Sequence, residues 1–305
     1  MLRSSIDLGT NTCLLLIAKC NPDTGRVEKI ISDHSHIVRL GEGVDKNRHF
    51  LPEAMERALI VLKKYSQIVQ ENGLSPAQTT AVATSQARDS SNAQEFFQQV
   101  EKETGFRFKK LTGQQEAEAT FSGGLLPGMD PSQCAVIDIG GGSTELTALS
   151  RAGSLFGKSL DMGSVRFTER YLKSDPVTDP EFWSCQEAID QQIEGWQKEW
   201  KPQVGEHLQL VAVAGTATTL ASLQLDLREF DRDRIDSAIL TRGDCHRLVE
   251  ELKWRSKAER AQMPGMEPKR ADVMLAGALI LWRTMELMGF VTCRVSTRGL
   301  RFGVL

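Results

Sequence analysis

The sequence predicts an α/β protein made of two similar halves, and three observations carry that expectation. A short pattern, apolar residues ending in Ile-Asp-(Leu/Ile)-Gly with hydroxyl and glycine residues next, is written twice: "SSIDLGTNT" at residues 4–12 and "AVIDIGGGSTEL" at residues 135–146. After each copy, stretches of strand character alternate with stretches of helical period. A chain of 305 residues also exceeds the size at which one hydrophobic core usually stops growing. The domains are expected at 1–121 and 122–305, with the break near "FSGG" and with the segment after Arg298 able to pack back on the first domain.

Taken in order, "SSIDLG" and "TCLLLIAKC" read as two strands joined by the turn Gly9-Thr10-Asn11, and "RVEKIISDHSHIVRL" adds a third before Gly41 and Gly43. A helix runs from Pro52 to Asn72, with Met55, Leu59, Leu62, Ile68 and Val69 at helical spacing, Pro52 near its start and Gly73 just past its end. "TTAVATSQARDS" reads as a strand running into a loop, "AQEFFQQVEKETG" as a helix and "FRFKKLTG" as a strand. The pattern then restarts. "QCAVIDIGGGSTELTALS" gives two strands about a glycine turn, and "AGSLFGKSLDMGSVRFTERY" a strand and a helix. In "FWSCQEAIDQQIEGWQKEW", Ile189, Ile193, Trp196 and Trp200 share one helical face and are expected in the core. "QLVAVAGTATTLAS" is a buried strand entering a helix through Gly215-Thr216. Helices around "CHRLVEELKW" and "ADVMLAGALILWRTMELMG" precede the closing "TCRVSTRGLRFGVL".

A net charge of −3 without a large single-sign block gives no call for nucleic acid or an anionic membrane as partner. The six scattered cysteines, with no C-x-x-C pair, favour reduced thiols in a cytoplasmic protein over disulfides or a zinc site. The first apolar stretch is too short and too polar to span a bilayer. Neither the cysteines nor the five histidines show metal-ligand or nucleophile spacing.

The repeated turns carry the chemistry. A turn of low side-chain bulk directs backbone N–H groups outward into an anion-binding concavity. Gly140, Gly141 and Gly142 allow close approach of a phosphate, with Ser143 and Thr144 adding hydroxyls. Asp7 and Asp138 repel phosphate, so their natural task is a divalent cation bridging carboxylate and phosphate oxygens, with Glu145 as a further ligand. Two such turns in equivalent positions imply facing halves with a phosphate cleft between them.

This logic is that of the actin-like (ribonuclease H-like) ATPase superfamily. More narrowly, the chain resembles the exopolyphosphatase/guanosine pentaphosphate phosphatase (Ppx/GppA) family in its short, two-domain form. The resemblance runs over essentially the whole chain: "IDLGTNT", "RLGEGVD", "ATSQARDS", "LTGQQEAEATFSG", "VIDIGGGSTEL", "MGSVRFTERY", "VAVAGTATTLA", "ADVMLAGALIL" and "RGLRFGVL". It implies two actin-like domains and hydrolysis of a terminal phosphoanhydride with Mg2+ or another divalent cation. On the matching positions it implies Glu116 as general base and Arg88 as phosphate clamp. It places Asn11, Gly141, Gly142, Ser143, Thr144, Gly215 and Thr216 on the phosphate, and Asp7, Asp138 and Glu145 on the metal. Gln115, Thr297 and Phe302-Gly303 depart from the residues usual at those places, which bears on substrate preference more than on chemistry. Inorganic polyphosphate is the expected substrate and guanosine pentaphosphate (pppGpp) the alternative. A small-molecule kinase and a non-enzymatic actin-like nucleotide sensor are the readings from other classes. Lys109 and Lys110 suit either a polyanion channel or a solvated strand edge. Monomer and homodimer both stay open.

Overall fold

The computed structural model describes residues 1–305, and the chain divides into two compact units, 1–123 with 300–305, and 124–299. The boundary expected between residues 121 and 122 lies inside the helix Gly113–Gly124, which carries the first unit to 123. Gly124 already packs on the second unit's sheet: a Cβ there would lie 2.9 Å from the Val213 side chain.

The first unit holds strands β1 (Leu2–Leu8), β2 (Thr12–Cys20), β3 (Val27–Ile37), β4 (Thr80–Ala83) and β5 (Phe108–Lys110) in the order β3-β2-β1-β4-β5. The first three form an antiparallel meander, while β4 and β5 run parallel to β1. Strand side chains alternate between faces, and β2 is apolar on both because both are covered. Its Cys13, Leu15 and Ile17 face a core with Leu62, Tyr65 and Val69 of the helix Pro52–Glu71. Leu16, Ala18 and Cys20 meet Phe302 instead. Of the stripe predicted for that helix, Leu62 and Val69 are fully buried, and Met55, Leu59 and Ile68 pack on the core's rim. The segment read as a loop after β4 is a short helix, Ser85–Asp89. Thr84 to Asp89 coils because Gln86 Nε2 donates back to Leu8 O at 2.5 Å, fixing the turn against β1.

The second unit holds β6 (Cys134–Ile139), β7 (Thr144–Leu149), β8 (Leu155–Leu160), β9 (Gln209–Val213), β10 (Ile239–Thr241) and β11 (Thr292–Val295), ordered β10-β11-β9-β6-β7-β8. Strands β8-β7-β6-β9-β11 repeat the order and directions of the first sheet, with β10 added antiparallel at the edge. Two separate sheets of this ribonuclease H-like order make the fold an α/β pair of actin-like domains. Ile189, Ile193, Trp196 and Trp200 lie in the core on the helix Asp179–Gln203, as their spacing requires. The helix Met274–Met288 is apolar on most of its surface because both sheet and helices enclose it. All six cysteines are free and buried. No helix is long and apolar enough to cross a membrane.

Candidate active site

In the first unit, β1 and β4 are parallel with Leu8 opposite Ala83, so the segments leaving the two strands emerge at one end of the sheet. Open α/β sheets place ligands at the carboxyl ends of their parallel strands. After β1 comes the turn Gly9–Asn11, closed by Gly9 N–H donating to Thr12 O at 2.8 Å. Thr10 Oγ1 lies 3.1 Å from Ser85 Oγ, tying the turn to the helix after β4. Gly41 supports it from behind, since a Cβ there would come within 2.3 Å of the Thr10 methyl.

Two polar side chains, one on this turn and one near the end of β1, are incompletely satisfied. Asn11 is buried, and neither its Oδ1 nor its Nδ2 has a hydrogen-bond partner; Asp7 Oδ1 is likewise buried without one. Such groups in a native fold call for a ligand, ion or water. Burial raises the Asp7 carboxyl from 3.8 to about 7, partly opposed by the positive charge of Arg301. A raised folded-state value means that folding takes up a proton between those limits. The Asp7 contribution to stability is therefore greatest below about pH 4, falls as pH rises to 7, and stays low above it. Asp7→Asn removes this penalty. In chelator at pH 8 the variant should melt at least about 2 °C above the wild-type protein, and at pH 4 the gap should close. Melting curves at both values check this, and an equal gap at both would contradict it.

Arg88, on the helix Ser85–Asp89, and Glu116, on the helix Gly113–Gly124, meet directly. Arg88 Nη1 donates to Glu116 Oε2 at 2.7 Å and to Leu111 O at 3.0 Å. Glu116 is only 6% exposed, so the pair lies in a setting that strengthens it. The helix carrying Glu116 is started by Thr112, whose Oγ1 accepts from Gln115 N–H at 3.2 Å while Gln115 Oε1 accepts from Thr112 N–H at 3.1 Å. Gln115 thus completes a capping box, a role that Glu or Gln fills equally. Lys109 and Lys110 are exposed on the edge strand β5.

In the second unit the glycine turn Gly140–Ser143 joins β6 to β7. Its carbonyls are taken from behind by the start of the helix Ser164–Tyr171. Ser164 N–H donates to Gly140 O at 2.9 Å, Val165 and Arg166 N–H to Gly141 O at 2.9 and 3.0 Å, and Arg166 Nε to Gly142 O at 2.6 Å. In trans peptides N–H and C=O point oppositely, so the N–H groups of Gly141, Gly142 and Ser143 are turned to the other side, as an anion site needs. Gly163 makes the contact possible: a Cβ there would sit 2.4 Å from Gly141 O. Thr144 Oγ1 donates to Met162 O, and Thr216 Oγ1 donates to Ile139 O at 3.1 Å. Both hydroxyl protons are thus spent on the fold.

Asp138 and Glu145 are direct cross-strand partners in the β6–β7 register. Like charges so placed repel. Glu145 is buried, and its Oε1 accepts from Ser159 Oγ at 2.5 Å. No three His, Cys, Asp or Glu side chains gather into a cage. Two adjacent carboxylates are oxygen donors of the kind a hard divalent cation takes, with water completing its shell.

Two arginines of this unit carry no signal in the sequence. Arg166 shapes the glycine turn through its bond to Gly142 O. Arg270 lies over Gly215 at the start of the helix Ala214–Gln224, its Nη1 2.0 Å from where a Gly215 Cβ would stand. Burial lowers its pKa to about 10, against the favourable charge of Glu267, so it remains a cation at neutral pH. The helix begins with Ala214 at φ 66°, a left-handed conformation uncommon for a residue with a Cβ and concentrated at functional sites. A helix N-terminus with a guanidinium beside it is an anion site. Nothing local in "EPKRADV" marks Arg270 apart from other arginines; only the packing on Gly215, 55 residues earlier, reveals it.

Known proteins resemble this chain in sequence and fold. Residues 20–305 match the Ppx/GppA phosphatase family. The chain is 32% identical over 285 residues to "Exopolyphosphatase 2" of Mycobacterium tuberculosis, covering 91% of this chain and 88% of that one. It is 34% identical over 298 residues to the "Bifunctional 3-dehydroquinate synthase/phosphatase" of Fusobacterium nucleatum, covering 94% of this chain but only 44% of that longer protein. The crystal structure of an exopolyphosphatase from Cytophaga hutchinsonii superposes with a TM-score of 0.87 at 27% identity, over 99% of this chain and 96% of that one.

Proposed function

The chain belongs to the Ppx/GppA phosphatase family, and from that membership we propose that it is an exopolyphosphatase, releasing orthophosphate from the end of inorganic polyphosphate. The observation that carries the reading is the Arg88–Glu116 pair at 2.7 Å, with Arg88 on the short helix whose Ser85 is tied to Thr10 of the turn after β1. Arginine binds phosphate through the same fork of donors that binds carboxylate. A terminal phosphate that engages Arg88 draws it from Glu116, and the carboxylate, losing its cation, becomes more basic as the substrate arrives. Glu116 then accepts the proton of the attacking water. Within the second unit, the Gly141, Gly142 and Ser143 N–H groups and Arg270 are the donors suited to phosphate oxygens. Asp138 and Glu145 are the residues that would hold a divalent cation, which when bound offsets charge on the phosphate oxygens. Asp7, with its unpartnered oxygen, is the further carboxylate suited to a cation.

Backbone N–H groups and arginines recognise phosphates as such, which favours a chain of them over a nucleotide that also requires a base and ribose pocket. The relative from Mycobacterium tuberculosis is named for the same activity. Comparison of kcat/KM for polyphosphates of defined length against pppGpp, at fixed ionic strength, tests the choice. Polyphosphate should be preferred, with short and medium chains used at least as well as long ones, and added salt should raise KM. A clear preference for pppGpp would assign the alarmone instead. Phosphate transfer from ATP to a sugar would assign a kinase.

A further inference from the structure

We infer that the closing segment Leu300–Leu305 positions the Glu116 helix, with Gly303 and Arg301 as its positioning residues. The inference rests on the reading of Glu116 as the base. Three contacts of this segment converge on the machinery of the first unit, to which it belongs. Gly303 lies directly on the backbone of the Glu116 helix: a Cβ there would fall 1.8 Å from Ala119 O and 2.6 Å from its carbonyl carbon. Ala119 is three residues after Glu116, on the same side of that helix and nearly one turn along. Leu300 packs with Val82 and Leu111, and Leu111 O is the acceptor that anchors Arg88. Arg301 O accepts from Ser5 Oγ at 2.6 Å, two residues before Asp7 on β1.

The segment is itself held in a fixed seat. The Arg301 guanidinium makes a two-pronged pair with Asp33 of β3, both bonds 2.9 Å. Arg3 Nη1 donates to Leu305 O at 2.9 Å, and Phe302 is buried against Leu16, Ala18 and Cys20 of β2. Burying Phe302 explains attachment to the sheet. It does not explain a glycine in backbone contact with one helix, or a charged fork that fixes the segment's rotation. Those features set where the Glu116 helix rests, to within the thickness of one methyl group.

A misplacement of about 1 Å in a reacting group can cost about 10²-fold. Gly303→Ala should therefore lower kcat by about 10- to 100-fold on polyphosphate while KM stays within about threefold. Arg301→Lys, which keeps the charge and loses the fork, should lower kcat in the same sense by a smaller factor and carries the test should Gly303→Ala not fold. Both variants are then made in the Glu116→Gln background. With the base gone its position no longer matters, so neither should lower kcat further by more than about threefold. Full additivity in that background, a change confined to KM, or a loss equal to the unfolded fraction seen by circular dichroism would each overturn the inference while leaving Glu116 in place. Near wild-type turnover of Glu116→Gln alone would remove the base assignment and the inference together.

Discussion

Glu116→Gln should lower kcat by about 10²–10⁴-fold and leave KM near its wild-type value. The amide keeps the shape of the carboxylate and can still accept the Arg88 hydrogen bond, now at 2.7 Å, through its oxygen. It loses the charge and the ability to take a proton from water. Arg88, freed of its strongest partner, remains available to phosphate, which is why binding should survive. The expectation is checked by steady-state kinetics on polyphosphate together with a direct binding measurement. A variant that binds poorly and turns over normally when saturated would make Glu116 a binding residue instead.

Excess chelator should abolish turnover, by about 10²-fold or more, and added Mg2+ should restore it. Asp138→Asn should produce a similar loss that Mg2+ relieves only at concentrations well above those sufficient for the wild-type protein. The reason lies in the ladder: Asp138 and Glu145 oppose each other across two central strands, and Glu145 is buried. Two acidic groups so placed are stabilised by a cation and repel without one. Turnover unaffected by chelator would exclude a cation at this pair.

The fold was largely legible because hydrophobic period and turn residues reflect local physics. The doubled Ile-Asp-(Leu/Ile)-Gly pattern located both hairpins, and the Trp196–Trp200 stripe located a core helix. The helix at Arg88 has no side-chain cap to mark it in the sequence, and the contact that seats it, Gln86 reaching back to Leu8, spans 78 residues. Site residues on the turns were legible through their glycines and carboxylates. Arg270 was not, because its position depends on the bare backbone of Gly215. Thr144 and Thr216 read as phosphate donors, yet their hydroxyls bond to backbone carbonyls of their own unit. Sequence shows which groups a loop possesses; packing decides which way they turn. The same holds for Gly303, whose close fit against Ala119 no local pattern in the sequence shows.

Attack of water, deprotonated by Glu116, on the terminal phosphorus of a phosphate chain is the step on which the proposed function depends. A single-turnover reaction on polyphosphate in ¹⁸O-water, resolving orthophosphate and shortened polymer by mass, tests it most directly. One solvent oxygen should enter each orthophosphate released and none the polymer left behind, and Glu116→Gln should give the same pattern about 10²–10⁴-fold more slowly. Label in the remaining polymer, or an unchanged rate in the variant, would contradict it.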